Sequence, residues 1–124
     1  MFDGHGGDAA SQWLNSNLYQ YWAKRKGEGV ATEREIVTMF EQADKALLKM
    51  LESGADAEGH ALTGAGSTAS LLWVTQESVV AANVGDSSAV LSRRGAQVML
   101  TTPHRVYGSY AVGASWVGGK VLRL

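Results

Sequence analysis

Asp3, Gly4 and His5 belong to a run in which an acid, a histidine and three glycines stand close together, FDGHGG at residues 2–7. A carboxylate at the end of a strand is a hard oxygen donor of the kind that holds Mg²⁺, Mn²⁺ or Ca²⁺. A glycine directly after it lets the backbone come close, so that the Gly4 carbonyl becomes a second oxygen ligand. His5, two residues past the acid, is placed to donate a proton in the same site. The plainer alternative is a glycine turn whose acid caps a helix. A second acid, Asp86, stands in ANVGDSSAVL, residues 82–91. An apolar strand ends at Gly85 there, and another begins after the turn. Aspartate in a turn is ordinary, because it hydrogen-bonds its own backbone. Yet Asp3 and Asp86 both follow a strand, so both can face one edge of the same sheet. The run GAGSTAS at 64–70 is glycine-rich, but it leads into a strand and lacks the lysine of a phosphate loop. It reads as a loop feeding a core strand.

The elements that must position these residues are legible from periodicity. Ala10, Trp13, Leu14, Leu18, Tyr21 and Trp22 recur on one helical face behind Asp8, a candidate N-cap. The stretch Lys26–Gly29 ends that helix. A second helix starts at Thr32, whose spacing to Glu35 is that of a capping box. Its buried stripe is Ile36, Phe40, Ala43, Leu47 and Met50 or Leu51, and Gly54 stops it. Residues 54–66 form a loop by composition. The period then changes to short, partly β-branched runs at 67–74 and 78–85, an antiparallel pair. Two more strands lie within 88–100 around a turn at Arg93–Gly95. The order strand, helix, helix, β-meander is α+β.

Composition narrows the function. The chain has 124 residues, 45% hydrophobic and 19% charged, which suits one globular domain. Its net charge is −1 with no basic block, so nucleic acid is not an expected partner. No apolar run has the length of a transmembrane segment. The absence of cysteine excludes disulfides, thiolate metal sites and a cysteine nucleophile.

The motifs FDGHGG, then GSTA after two helices, then NVGDSSAVL, then LTTPHR, taken in this order and spacing, resemble the metal-dependent PPM or PP2C protein serine/threonine phosphatases. The resemblance spans about residues 2–109. It implies a PP2C-like αββα sandwich, of which two helices and an antiparallel β-meander are present here. It implies two or three Mn²⁺ or Mg²⁺ ions in the complete domain, with Asp3 bridging two and the Gly4 carbonyl ligating one. Asp86 would help hold a third. His5 would protonate the leaving seryl or threonyl oxygen while a metal-activated water attacks phosphorus. The substrate would be a phosphorylated protein, and the complete form a monomer. HRVYGS at 104–109 is similar to the HRPYGS of plant and algal members, chloroplast ones included, so cytoplasm and chloroplast are both compatible compartments.

The same resemblance implies parts not seen in this chain. An upstream phosphate-binding arginine and acid, and two downstream metal aspartates, have no counterpart. Residues 1–105 therefore read as a partial phosphatase domain and 106–124 as a divergent or truncated tail. The expectation is an incomplete, inactive fragment, with a catalytically dead binding module or competitor of the full-length enzyme as the alternative. Of the other polar residues, His60 reads as a solvated loop histidine and His104 as part of a structural turn. Arg93 and Arg94 read as a solvated hairpin tip. Ser88 stands where the family often has arginine, which removes no metal ligand.

Overall fold

The computed structural model describes residues 1–24, 31–104 and 118–123. Its elements run β1 (Gly4–His5), α1 (Ala9–Ala23), α2 (Glu33–Ser53), a 3₁₀ turn (Leu62–Gly64), β2 (Gly66–Ser67), β3 (Ala69–Val74), β4 (Ser78–Val84), β5 (Val90–Arg93), β6 (Ala96–Met99) and β7 (Gly118–Arg123). All strand pairs are antiparallel. The architecture is the α+β arrangement expected.

Both helices form where the apolar spacing puts them. α2 begins with a complete capping box: the Glu35 N–H donates to Thr32 Oγ1 at 3.3 Å, and the Thr32 N–H donates to Glu35 Oε2 at 2.8 Å. Two of the helix's orphan donors are thereby satisfied reciprocally. α1 begins differently. Asp8 does occupy the N-cap position, but its backbone is already helical (φ −103°, ψ −5°) and its side chain caps no N–H. Asp8 Oδ2 accepts from Gln12 Nε2 at 2.6 Å instead, one turn on. α1 ends at Ala23, and the stretch 26–29 lies outside the described residues.

Ala10, Leu14 and Leu18 of α1 pack with Ile36, Met39, Phe40, Ala43, Leu47 and Leu51 of α2, over Ala69, Val80 and Ala82 of the sheet. Each fully covered Leu, Ile, Met or Phe contributes about 1.5–3 kcal/mol. This layer is the main core. Trp13, Tyr21 and Trp22 flank it half-buried, and the Trp22 ring stacks on Trp73 of β3 with centroids 4.6 Å apart. The aromatic stripe of α1 is therefore packing within the chain.

The strands divide more sharply than a single meander. β3, β4 and β7 form one sheet in the order β3-β4-β7, while β5 and β6 form a separate hairpin. The second edge of β4 is taken by β7, in the register Val80↔Val121 and Ala82↔Gly119. No element was expected in that glycine-spaced stretch. The hairpin turns at Arg94 (φ 52°) and Gly95 (φ 79°), where the twist of a two-residue connection needs positive φ. It is tied back to the chain after β4 by Leu100 N–H to the Ala89 carbonyl and Ala89 N–H to Thr101 Oγ1.

Candidate functional site

The N-terminal residues lie antiparallel to residues 66–70. β1 pairs with β2 as Gly4↔Ser67 and His5↔Gly66. The ladder continues through Thr68 N–H to the Asp3 carbonyl and Ser70 N–H to the Met1 carbonyl, both at 2.9 Å. Asp3 is thus held by its backbone, and its carboxylate is left exposed. The His5 ring lies against the backbone of Gly66, where a Cβ would stand 2.6 Å from His5 Nε2. Any side chain at 66 would push the imidazole away from β2.

Asp86 sits two residues past the end of β4. Its turn is fixed from behind by Asn83, which is fully buried. Asn83 Oδ1 accepts from Ser70 Oγ at 2.6 Å, and Asn83 Nδ2 donates to the Gly85 carbonyl at 2.9 Å. The His104 N–H donates to the same carbonyl at 2.8 Å, and the Gly85 N–H points at His104 Nδ1 from 3.4 Å. His104 is a turn partner, as its place in the sequence indicates. Gly85 has φ +101°, and a Cβ on it would stand 2.7 Å from the methyl of Thr68. Both conditions call for glycine.

Thr68 links the two acid-bearing segments. Its Oγ1 accepts the Asp3 N–H at 3.3 Å and lies 2.9 Å from Ser87 Oγ. Sequence reasoning treated the GSTA run as a mere lead-in to a core strand. The signal overlooked was a small hydroxyl residue at the start of the strand that neighbours both segments. Asn83 escaped notice in the same way, as a polar residue inside an apolar run.

Among the described residues, neither the Asp3 nor the Asp86 carboxylate is engaged in a hydrogen bond or salt bridge. Two open carboxylates and a backbone carbonyl are hard oxygen donors, which fit Mg²⁺ or Mn²⁺ in kind. With one side-chain carboxylate in each segment, most coordination positions would be left to water. A different acidic group brings three ligand atoms within 4.8 Å of one another: Asp56, Glu58 and His60, all exposed in the loop after α2. Asp56 already serves that loop as a clasp. Its Oδ1 accepts from the N–H groups of Glu58 (3.0 Å) and His60 (2.7 Å), and its Oδ2 lies 3.0 Å from His60 Nδ1. The backbone hydrogen bond from His60, ahead of the side-chain one, holds the Asp56 carboxyl below its usual pKa.

The fold agrees with what the sequence resembles. The family model for protein phosphatase 2C matches residues 1–109. The chain is 35% identical over 117 residues to protein phosphatase 2C 57 of Arabidopsis thaliana, covering 88% of this chain and 29% of that protein. It is 34% identical over 105 residues to probable protein phosphatase 2C 11 of the same plant, covering 85% of this chain and 26% of the relative. A rice relative, from Oryza sativa subsp. japonica, is probable protein phosphatase 2C member 13, mitochondrial, at 32% identity over 85% of this chain and 27% of its own length. The chain thus spans less than a third of the length of these curated relatives. With the motif order, the paired acid-bearing segments and the family match over most of the chain in agreement, this chain belongs to the protein phosphatase 2C family.

Proposed function

We propose that residues 1–105 are a segment of a domain that hydrolyses phosphoserine and phosphothreonine in proteins, and that residues 106–124 are a divergent tail, of which β7 adds to the sheet beside β4. Asp3 and the Gly4 carbonyl hold Mn²⁺ or Mg²⁺, and Asp86 holds a further, weaker ion. A divalent cation there supplies Lewis-acid charge for transfer of the phosphoryl group to water. The chain's own residues do the rest. The β1–β2 ladder presents Asp3 and Gly4 at an open sheet edge, where a phosphorylated loop of a substrate protein has access. His5, laid on Gly66 beside them, gives its proton to the departing seryl or threonyl oxygen. The complete enzyme works as a monomer. The 124 residues alone carry one acid of the two-metal set and are inactive.

The observation that supports this reading is the tie through Thr68 between the strand of Asp3 and the turn of Asp86. The test is Asp3→Asn in a full-length phosphatase domain carrying this segment. Loss of a carboxylate ligand is expected to lower Mn²⁺- or Mg²⁺-dependent turnover of a phosphoserine protein by about 100-fold or more. Unchanged turnover, with an aryl phosphate as with a phosphoprotein, would remove Asp3 from the site.

A further inference from the structure

We propose that Thr68 is a positioning residue: its hydroxyl fastens the strand bearing Asp3 to the turn bearing Asp86, and so fixes where the two carboxylates stand toward the divalent cations they hold. The proposal rests on the reading of Asp3 and Asp86 as cation ligands. Among the described residues neither carboxylate is anchored by its own side chain, so each takes its position from its backbone. Those two backbones are far apart in sequence and meet at Thr68.

A threonine hydroxyl has one proton and two lone pairs. Here Oγ1 accepts from the Asp3 N–H at 3.3 Å and shares a hydrogen bond with Ser87 Oγ at 2.9 Å. The Thr68 N–H donates to the Asp3 carbonyl at 2.9 Å. The other branch, the methyl, fills the space where a Gly85 side chain would stand. One side chain therefore touches the residue that bears the first acid and the residues on both sides of the second. Its neighbour Ser67 reaches the Asp3 carbonyl at 3.2 Å but makes no bridge to the Asp86 turn among the described residues. Serine at 68 would keep the hydroxyl bridge and lose the methyl. Valine would keep the shape and lose the bridge.

The test uses a ¹⁵N-labelled full-length phosphatase domain carrying this segment, with Thr68→Val, Thr68→Ser and Ser87→Ala. The first readout is amide hydrogen exchange without metal. Exchange at Asp3 is expected to rise by about tenfold in Thr68→Val, as for one lost hydrogen bond, and to stay near wild type in Thr68→Ser. It should also rise in Ser87→Ala, though that change is in the other segment, while α2 amides such as Ala43 stay unchanged. The second readout is Mn²⁺ paramagnetic broadening of residues 3–5 and 85–87. Residues 3–5 should broaden at lower Mn²⁺ than residues 85–87, the weaker site, in wild type and Thr68→Ser, and both ranges should shift to higher Mn²⁺ in the other two. An unprotected Asp3 amide in wild type, or identical exchange and broadening in all four proteins, overturns the proposal. Protection without any Mn²⁺ broadening in wild type overturns the cation reading itself, and the proposal with it. If Thr68→Val unfolds, Ser87→Ala alone decides by the same criteria.

Discussion

Asp56 and Asp86 are both turn aspartates, and the fold uses them in opposite ways. Asp56 turns its carboxylate inward on its own loop, accepting from Glu58 and His60. Asp86 leaves its carboxylate open while Asn83, Thr68 and His104 build the turn around it. The difference has a pH signature. Asp56 titrates below its ordinary value in the native chain, chiefly through the His60 backbone N–H. Its contribution to loop order is therefore fully present above the ordinary carboxylate pKa and is lost only as pH falls through the lower native value. The Asp56 side-chain carboxyl ¹³C resonance should hold its position as pH falls through the ordinary carboxylate range and move only below it. Movement centred on the ordinary carboxylate pKa would show that the clasp does not form. His5 gives a second prediction at this scale. A general acid matters most when the leaving group is a poor one. In a full-length domain, His5→Gln is expected to slow phosphopeptide turnover far more than turnover of an aryl phosphate, whose leaving group is already acidic. Equal losses on both substrates would make His5 a structural residue.

At the scale of elements, what was legible from sequence is what local physics decides. The stripe from Ile36 to Leu51 and the Thr32–Glu35 pair act within one helix, and both appear as read. Thr32→Ala is expected to cost about 0.5–2 kcal/mol in chemical denaturation, with Thr32→Ser retaining most of it. A full-strength α2 without the hydroxyl would mean that core packing alone sets its start. Asp8 shows the limit of the same reasoning. Residue type and position mark an N-cap, but Gln12 one turn on competes for the carboxylate and wins it. β7 shows another limit. Its pairing with β4 joins segments nearly forty residues apart by backbone hydrogen bonds, and a glycine-spaced strand carries little period-2 pattern to announce it. The candidate site divides along the same line. Asp3, Gly4, His5 and Asp86 stand out because chemistry-bearing types cluster beside glycine. Thr68 and Asn83 do not, because their work consists of contacts between distant segments.

At the scale of the whole molecule, the decisive feature is a sheet whose helix-side face is well covered, while the opposite face is buried at Ala81 and Asn83 of β4 but open along β3. Ala69, Leu71 and Trp73 of β3 face the helices, whereas Leu72 and Val74, alternating with them, are 55% and 72% exposed. On the separate hairpin the cross-strand pair Val90 and Met99 is 50% and 46% exposed. Covering such a side chain fully is worth about 1.5–3 kcal/mol. Being about half exposed, these four leave uncovered roughly half of that each, a few kcal/mol together and a sizeable part of a domain's net stability of about 5–15 kcal/mol. The site has the same incompleteness, with one open carboxylate in each segment where a tightly held cation needs several. The 124-residue chain on its own is therefore expected to be marginally folded, with α1 and α2 forming around their shared stripe, and to release no phosphate from a phosphopeptide. The check is a thermal melt followed during Mn²⁺ titration, with a phosphopeptide assay on the same samples. A broad, low melt that Mn²⁺ leaves in place is the expected result. A cooperative melt raised by micromolar Mn²⁺, together with metal-dependent phosphate release, would mean that two carboxylates tied through Thr68 already make a working centre, and that the open face of β3 costs the chain little.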